Sequence, residues 1–372
     1  MKTKRLFFCL FLLTLALLLC ACEKEDTAPE GPPTPTEGLS YTLAEDGKSY
    51  LVSGIGTATD TDIIIPTVYM GKPVVGFKKR AFCETAITSV YISYGVFTIS
   101  EEVFEKCTAL ASVIIPASVT DIGYRAFWGC ESLESITVKE GNTVYHSAGN
   151  CLIETKSKTL LVGGGGCEIP KDGSVTSIAP HAFWKRTSLT AVTIPAAVTS
   201  IGASAFSECK NLVSLVFEEG DAACTIGKAA FHKCRGLVSL TIPARVTLID
   251  NGAFTLCTGL SSVVFSEGNE DAEGVSLGTD AFSTCSSLES VTFLAPVKSL
   301  GESAFWNCIG LRSVSLPARV ERIGTNAFEL CISYPEIYYD GSYAQWKTVE
   351  RSKGWAKGQL LIHCTDKTFT EY

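Results

Sequence analysis

The sequence predicts a β-rich solenoid, a chain wound into stacked turns of parallel strand, and three observations predict it. The first is a phenylalanine series: Phe82, Phe104, Phe127, Phe183, Phe206, Phe231, Phe254, Phe282, Phe305 and Phe328, with steps of 22, 23, 56, 23, 25, 23, 28, 23 and 23 residues. All but Phe104 follow an alanine. The second is a short run of alternating apolar and small polar residues in every interval, the period of a strand with one buried face. The third is a cysteine three residues after most of these phenylalanines: Cys107, Cys130, Cys209, Cys234, Cys257, Cys285, Cys308 and Cys331. A unit of some twenty residues cannot bury its own apolar face, so neighbours must stack into a continuous core.

Residues 1–21 read as a leader. Lys2, Lys4 and Arg5 precede an apolar stretch from Leu6 to Leu19 that is too short for a comfortable membrane span. Leu19-Cys20-Ala21-Cys22 resembles the lipobox of bacterial lipoproteins. That resemblance implies a mature chain beginning at a lipid-bearing Cys22, with lipid as its only membrane contact; an ordinary cleaved secretory signal is the alternative. Residues 22–38 form a tether, in which the acidic run Glu23-Lys24-Glu25-Asp26 leads into a stretch with Pro29, Pro32, Pro33 and Pro35. The acidic run is similar to the surface-export signal of Bacteroidetes lipoproteins, and Asp26-Thr27-Ala28 to their short O-glycosylation site. The localisation these resemblances imply is an outer membrane, lipid-anchored and cell-surface exposed. Cleavage after residue 21 leaves 28 basic against 39 acidic residues, a net charge of −11. A chain of that sign is a poor partner for nucleic acid.

Residues 39–75 are the expected N-terminal cap and residues 76–333 the solenoid. One unit shows why each part forms. Leu311, Val314 and Leu316 alternate with small polar residues, Pro317 ends that strand because it has no N–H to donate, and Val320 with Ile323 supplies a short second strand. Gly324 is expected to permit the turn that follows. The Ala-Phe pair and the cysteine then face the inside of the next bend. Ten rungs follow, starting at Ile87, Leu110, Leu133, Leu189, Leu212, Leu237, Leu260, Leu288, Leu311 and Tyr334. One parallel sheet of ten rungs would be on the order of 45 Å long.

The pattern Leu-x-x-Val-x-Ile-Pro, then Val-x-x-Ile-Gly, then Ala-Phe-x-x-Cys resembles the BspA-type leucine-rich repeats of bacterial surface proteins. Ile114-Ile115-Pro116 through Ala126-Phe127-Trp128-Gly129-Cys130 is one copy, and Thr241-Ile242-Pro243 through Ala253-Phe254-Thr255-Leu256-Cys257 another. The resemblance implies a right-handed leucine-rich-repeat superhelix with a parallel sheet, short second strands and turns, and a β-hairpin insert. It places the insert at residues 139–170, within the 56-residue step, and the last rung and C-terminal cap at 334–372. It also implies a non-catalytic adhesion module whose partner is a protein of a host, a matrix or a neighbouring cell.

The cysteine column reads as buried thiols, each a small apolar residue with a weak donor, because parallel side chains one rung apart are misoriented for a bridge. Cys83, Cys151, Cys167, Cys224 and Cys364 lie off the column, and their pairing is left open.

The candidate binding surface is the outward row four places along each rung: Tyr91, Ile114, Thr137, Thr193, Val216, Thr241, Val264, Thr292, Ser315 and Tyr338. A companion row, mostly serine, lies two places along. Small residues also suit a tightly spaced sheet for structural reasons alone. Two acidic insertions leave one corner two rungs apart, Glu218, Glu219 and Asp221 in the first and Glu267, Glu270, Asp271 and Glu273 in the second. Such carboxylates suit a basic partner or a divalent cation, though a solvated loop is their commoner use, and no metal or cofactor is expected. Tyr91, Trp128, Trp184, Trp306 and Tyr338 are the aromatics that a carbohydrate-binding or nutrient-capture alternative would use. His146, His181, His232 and His363 are scattered outside any nucleophile motif, and Gly163 to Gly166 lack the Lys and Ser/Thr of a phosphate loop, so the glycines read as a bend and no catalytic residue is assigned.

Overall fold

The computed structural model describes residues 33–268, 274–356 and 358–371. The leader, the acylation candidate Cys22, the acidic run and the candidates Glu270, Asp271 and Glu273 lie outside the described residues. From Leu39 onward the chain winds as a β-solenoid with one short helix, Tyr343–Trp346, among the described residues.

The repeating turn has a rung strand of four residues and, on the opposite side, a second strand of two to four. The ten expected rungs are present, from Ser89–Ile92 to Glu336–Tyr339, and the caps add one at either end, Asp62–Ile65 and Leu360–His363. Asp62–Ile65 pairs residue for residue with Ser89–Ile92. In each rung the apolar positions alternate inward, as at Val314 and Leu316, both fully buried.

The single ten-rung sheet expected from the sequence is not what forms. Rung strands group into sheets of four, two and seven strands, the last closed by an antiparallel edge, Thr368–Glu371. The first break lies between Ser135–Val138 and Ala191–Ile194, where the insert leaves and returns. There the glycine run crosses the place of a rung, and the Gly165 N–H donates to the Leu133 carbonyl at 2.7 Å. The second break lies between Ser214–Phe217 and Ser239–Ile242, at the 25-residue step. It coincides with a register irregularity at Cys224/Thr225 in the opposite sheet. The 28-residue step has a similar irregularity at Val275/Ser276 yet keeps its rung ladder. Phe265 and Phe293 stack across it at 4.2 Å, whereas Phe217 has no such partner among the described residues.

The longest continuous sheet has eleven strands: eight second strands, from Ser177–Ile178 to Glu350–Arg351, and three from the insert. The insert joins this sheet as an antiparallel meander, Tyr145–Ala148, Cys151–Glu154 and Thr159–Gly163. Cys151 and Cys167 form a disulfide that closes the insert onto its own return path.

The Ala-Phe corner carries a third ladder. The Phe104 N–H donates to the Ala126 carbonyl one turn on (2.9 Å), and Phe206 to Ala230 (2.7 Å). Two residues around each corner are left-handed, one two places before the phenylalanine and one two places after, such as Ser303 (φ 55°) and Asn307 (φ 56°). Few of these are glycine, so the stacking bonds hold ordinary residues in a conformation that costs roughly 1 kcal/mol or more each. Gly324 has a different role from the one expected. Its φ is not left-handed; a Cβ there would lie 2.6 Å from the Glu302 nitrogen, so glycine is required by close approach of the preceding turn.

The phenylalanine rings stack in two series, Phe82 to Phe127 and Phe183 to Phe328. The buried side chains likewise form two cores, one from Leu39 to Tyr145 plus Leu152, the other from Cys151 and Ile153 to Ile362. Strand Cys151–Glu154 is the partition between them. Successive side chains of a strand point to opposite faces, so Leu152 enters the first core while Cys151 and Ile153 enter the second. All eight column cysteines donate to the carbonyl of the preceding rung's phenylalanine, at 2.9–3.3 Å. Burial pushes the Cys257, Cys285 and Cys308 thiols well above the ordinary thiol range.

Candidate functional site

The rung face sits where the alternation puts it. Every residue of the two outward rows is at least partly exposed, with Thr137, Val216, Thr241 and Tyr338 among the more open ones. The rows are in register within each sheet: Tyr91 pairs with Ile114 and Ile114 with Thr137; Thr193 pairs with Val216; Thr241, Val264, Thr292, Ser315 and Tyr338 run in line. The face is therefore three panels. At its far end Tyr338 stacks on His363 (4.7 Å) and donates to the Glu336 carboxylate (2.7 Å).

The break between the second and third panels is a groove of about 500 Å³. Val213, Val216 and Val238 line it, each about half exposed. These valines are the face's clearest apolar patch, and Glu219 borders them. In the sequence Val216 reads as one member of a uniform row. The 25-residue step was the available signal that this row is interrupted.

The first acidic loop is partly engaged. Glu218 pairs with Lys171, just after the insert, and that bond, before all else, holds its carboxyl below the usual carboxylate range. Arg245, itself buried, donates to the Glu218 carbonyl (2.9 Å), the Val198 carbonyl (2.9 Å) and the Pro195 carbonyl (3.2 Å), pinning the loop's root. Glu219, Asp221 and Glu267 are exposed. Among the described residues no three His, Cys, Asp or Glu side chains gather as a metal site.

Two of the corner tryptophans pair off over the seam. Trp128 and Trp184 lie 56 positions apart in sequence and stack on each other at 4.3 Å, because the insert brings their corners together. Arg125 covers Trp128 (4.9 Å) and Lys185 covers Trp184 (4.5 Å), while Lys185 also pairs with Glu131. Both indoles are thus committed to a stack over the seam, and neither ring face is free for a sugar. Beneath the stack is a cavity of about 190 Å³ between the two cores. His181 lines it, and burial, then the nearby Arg125 charge, hold its imidazole below the ordinary histidine range. Arg186 also lines it, and sequence reasoning missed that residue. The signal was present: Arg186 stands three residues after Phe183, where eight other turns carry cysteine.

The four histidines serve separate places. His146 bonds Thr155 in the insert (2.9 Å), His181 faces the seam, His232 flanks a corner phenylalanine, and His363 meets Glu336 at the end cap (3.0 Å). Among the described residues no helix is long and apolar enough to cross a membrane.

A solenoid of strand, second strand and Ala-Phe-x-x-Cys corner is a leucine-rich-repeat protein. The chain belongs to the BspA type leucine rich repeat region family, whose model matches in six copies over residues 71–154, 176–275 and 272–348. No curated protein is matched by the sequence. Among solved structures, the pneumococcal vaccine antigen PcpA is similar at 16% identity and TM-score 0.54, over 87% of this chain and 84% of that one. A leucine rich cell surface protein from Faecalibacterium prausnitzii matches at 23% identity and TM-score 0.41, over 87% and 99%. A leucine-rich repeat protein from Bacteroides ovatus matches at 21% and 0.40, over 90% and 100%.

Proposed function

We propose that the protein is a non-catalytic, lipid-anchored cell-surface module that binds a protein of a host, a matrix or a neighbouring cell. The observation that carries this is the rung face with its valine-lined break. Exposed apolar side chains gathered at one place, rimmed by polar residues, mark protein-contact surfaces, and a stacked array offers a long surface for a partner to lie along. The family and the surface proteins of similar fold support the same reading, as does the neutral, small-residue character of the panels beside the break. Anchoring is read from the lipobox resemblance at Cys22, and outward display from the acidic run after it.

The test uses the chain from residue 23, screened against immobilised extracellular-matrix and host-surface proteins and against glycan arrays. The expected result is a protein hit that Val216→Glu combined with Val238→Glu abolishes. Glycan binding lost on changing Trp306 or Tyr338, with no protein hit, would replace this reading by carbohydrate capture. Anchoring has its own check. Wild type should incorporate labelled fatty acid and be shaved from intact cells by protease; Cys22→Ala should do neither.

A further inference from the structure

The seam cavity concentrates a kind of defect that folded proteins avoid. Among the described residues four buried side-chain polar atoms have no hydrogen-bond partner: Arg125 Nε, Trp128 Nε1, His181 Nδ1 and Arg186 Nη1. All four residues line this one cavity. Leaving a buried donor unmade costs its full desolvation, so four at one place are a feature that a partner would relieve.

Arg186 is the strongest of them. It is 2% exposed, its Nε donates to the Gly163 carbonyl at 2.7 Å, and no carboxylate reaches it as an ion pair among the described residues. Its position is one that eight other turns fill with a small thiol and the first with Thr85, so the fold itself does not need a guanidinium there. Arg125 is equally without a carboxylate, and both guanidiniums can only donate. The Trp128 indole is also a donor only. The polar side of the cavity is therefore built for an acceptor-rich, negatively charged group. The remaining walls, with Ile122, Phe127, Leu161 and Val162, are apolar. The pocket opens to the surface, and its volume of about 190 Å³ has room for one ring, since a cavity of roughly 150 Å³ takes up benzene.

We propose that the seam cavity binds a small carboxylate borne on a single apolar ring, with the carboxylate on Arg186 and Arg125 and the ring between Phe127, Leu161 and Val162. Arginine suits this because its planar fork matches a carboxylate. The ring carboxylate is either a free acid or the end of a peptide that terminates in phenylalanine. The site lies on the corner side, apart from the rung face, so it stands or falls independently of the protein-binding reading.

The experiment titrates the chain from residue 23 by calorimetry and by tryptophan fluorescence, which Trp128 and Trp184 report. The probes are benzoate, its neutral counterpart benzamide, and a short peptide ending in phenylalanine as the free acid or the amide. Benzoate should bind once per chain, and benzamide at least ~10-fold more weakly, since a charged hydrogen bond is lost. Binding of the free-acid peptide but not the amide would assign a chain end; binding of benzoate alone would assign a free acid. Arg186→Cys restores the residue of eight other turns and should fold with an unchanged thermal midpoint while losing benzoate by ~10-fold or more. Arg125→Gln, at the rim, should weaken it in the same direction. The proposal is overturned if benzoate and the peptide acid both fail to bind, if benzamide binds as well as benzoate, or if both variants bind like wild type.

Discussion

The turns before the insert and the turns after it are built from one repeat and differ in order. After the insert seven rings, Phe183 to Phe328, stack at 4.6–5.6 Å and within 9° of parallel. Before it only three stack, and the last pair, Phe104 and Phe127, is tilted by 18°. The stack stops because Gly163, not another ring, lies against Phe183; a Cβ on Gly163 would fall 1.8 Å from that ring. Regularity and chemistry are inversely placed here. Along the long uninterrupted stack each column thiol donates to a phenylalanine carbonyl, whereas the seam and the splayed panel edge leave donors and valines available.

The largest expected effects test the ring stacks. Phe231→Ala removes a ring with stacked neighbours on both sides and should cost about 3–5 kcal/mol. Phe127→Ala, with one stacked neighbour beside an existing cavity, should cost distinctly less by chemical denaturation. Equal losses would remove the distinction between the two stacks. Next, reducing the Cys151–Cys167 disulfide opens a short loop at the partition and should lower stability by about 3 kcal/mol in a chain-entropy account. The loss should appear as faster hydrogen exchange in strands Cys151–Glu154 and Thr159–Gly163, with the long C-terminal stack little changed. Smaller still, Cys257→Ala removes one thiol bond to the Phe231 carbonyl and should cost about 1 kcal/mol. A count of free thiols in the unfolded, unreduced chain from residue 23 should give eleven; two or three would mean that the column is bridged. In the native protein at pH 8 iodoacetamide should leave Cys257, Cys285 and Cys308 unlabelled, because burial keeps those thiols protonated.

Much of this was legible before the structure. The phenylalanine steps located every corner, and the alternation at Leu311, Val314 and Leu316 located the rungs. The irregular 56-residue step located the insert. The partition role of Leu152 was not legible, because a strand buried on both faces shows an unbroken apolar run rather than an alternation. The left-handed residues had no signature, since stacking and not residue type holds Leu256 or Lys233 there. The break beside Val216 hid because Ser214–Phe217 and Ser239–Ile242 each keep a normal strand pattern, and only the loop between them changes length. Of the site, the outward rows could be read by counting. The seam cavity could not, for it needs residues 122–129 and 161–186 side by side, although Arg186 in a cysteine position was a visible exception.

The central claim is that the insert divides one solenoid into two cores. Leu152→Ala and Ile153→Ala change adjacent residues, each fully buried and each expected to cost about 2–5 kcal/mol. Native-state hydrogen exchange on the two variants tests the claim directly. The account predicts that Leu152→Ala loosens the rungs Ser89–Ile92 and Ser112–Ile115, and Ile153→Ala the rungs Ala191–Ile194 and Ser214–Phe217. If both variants loosen the same rungs to the same extent, the solenoid has one core and the partition is wrong.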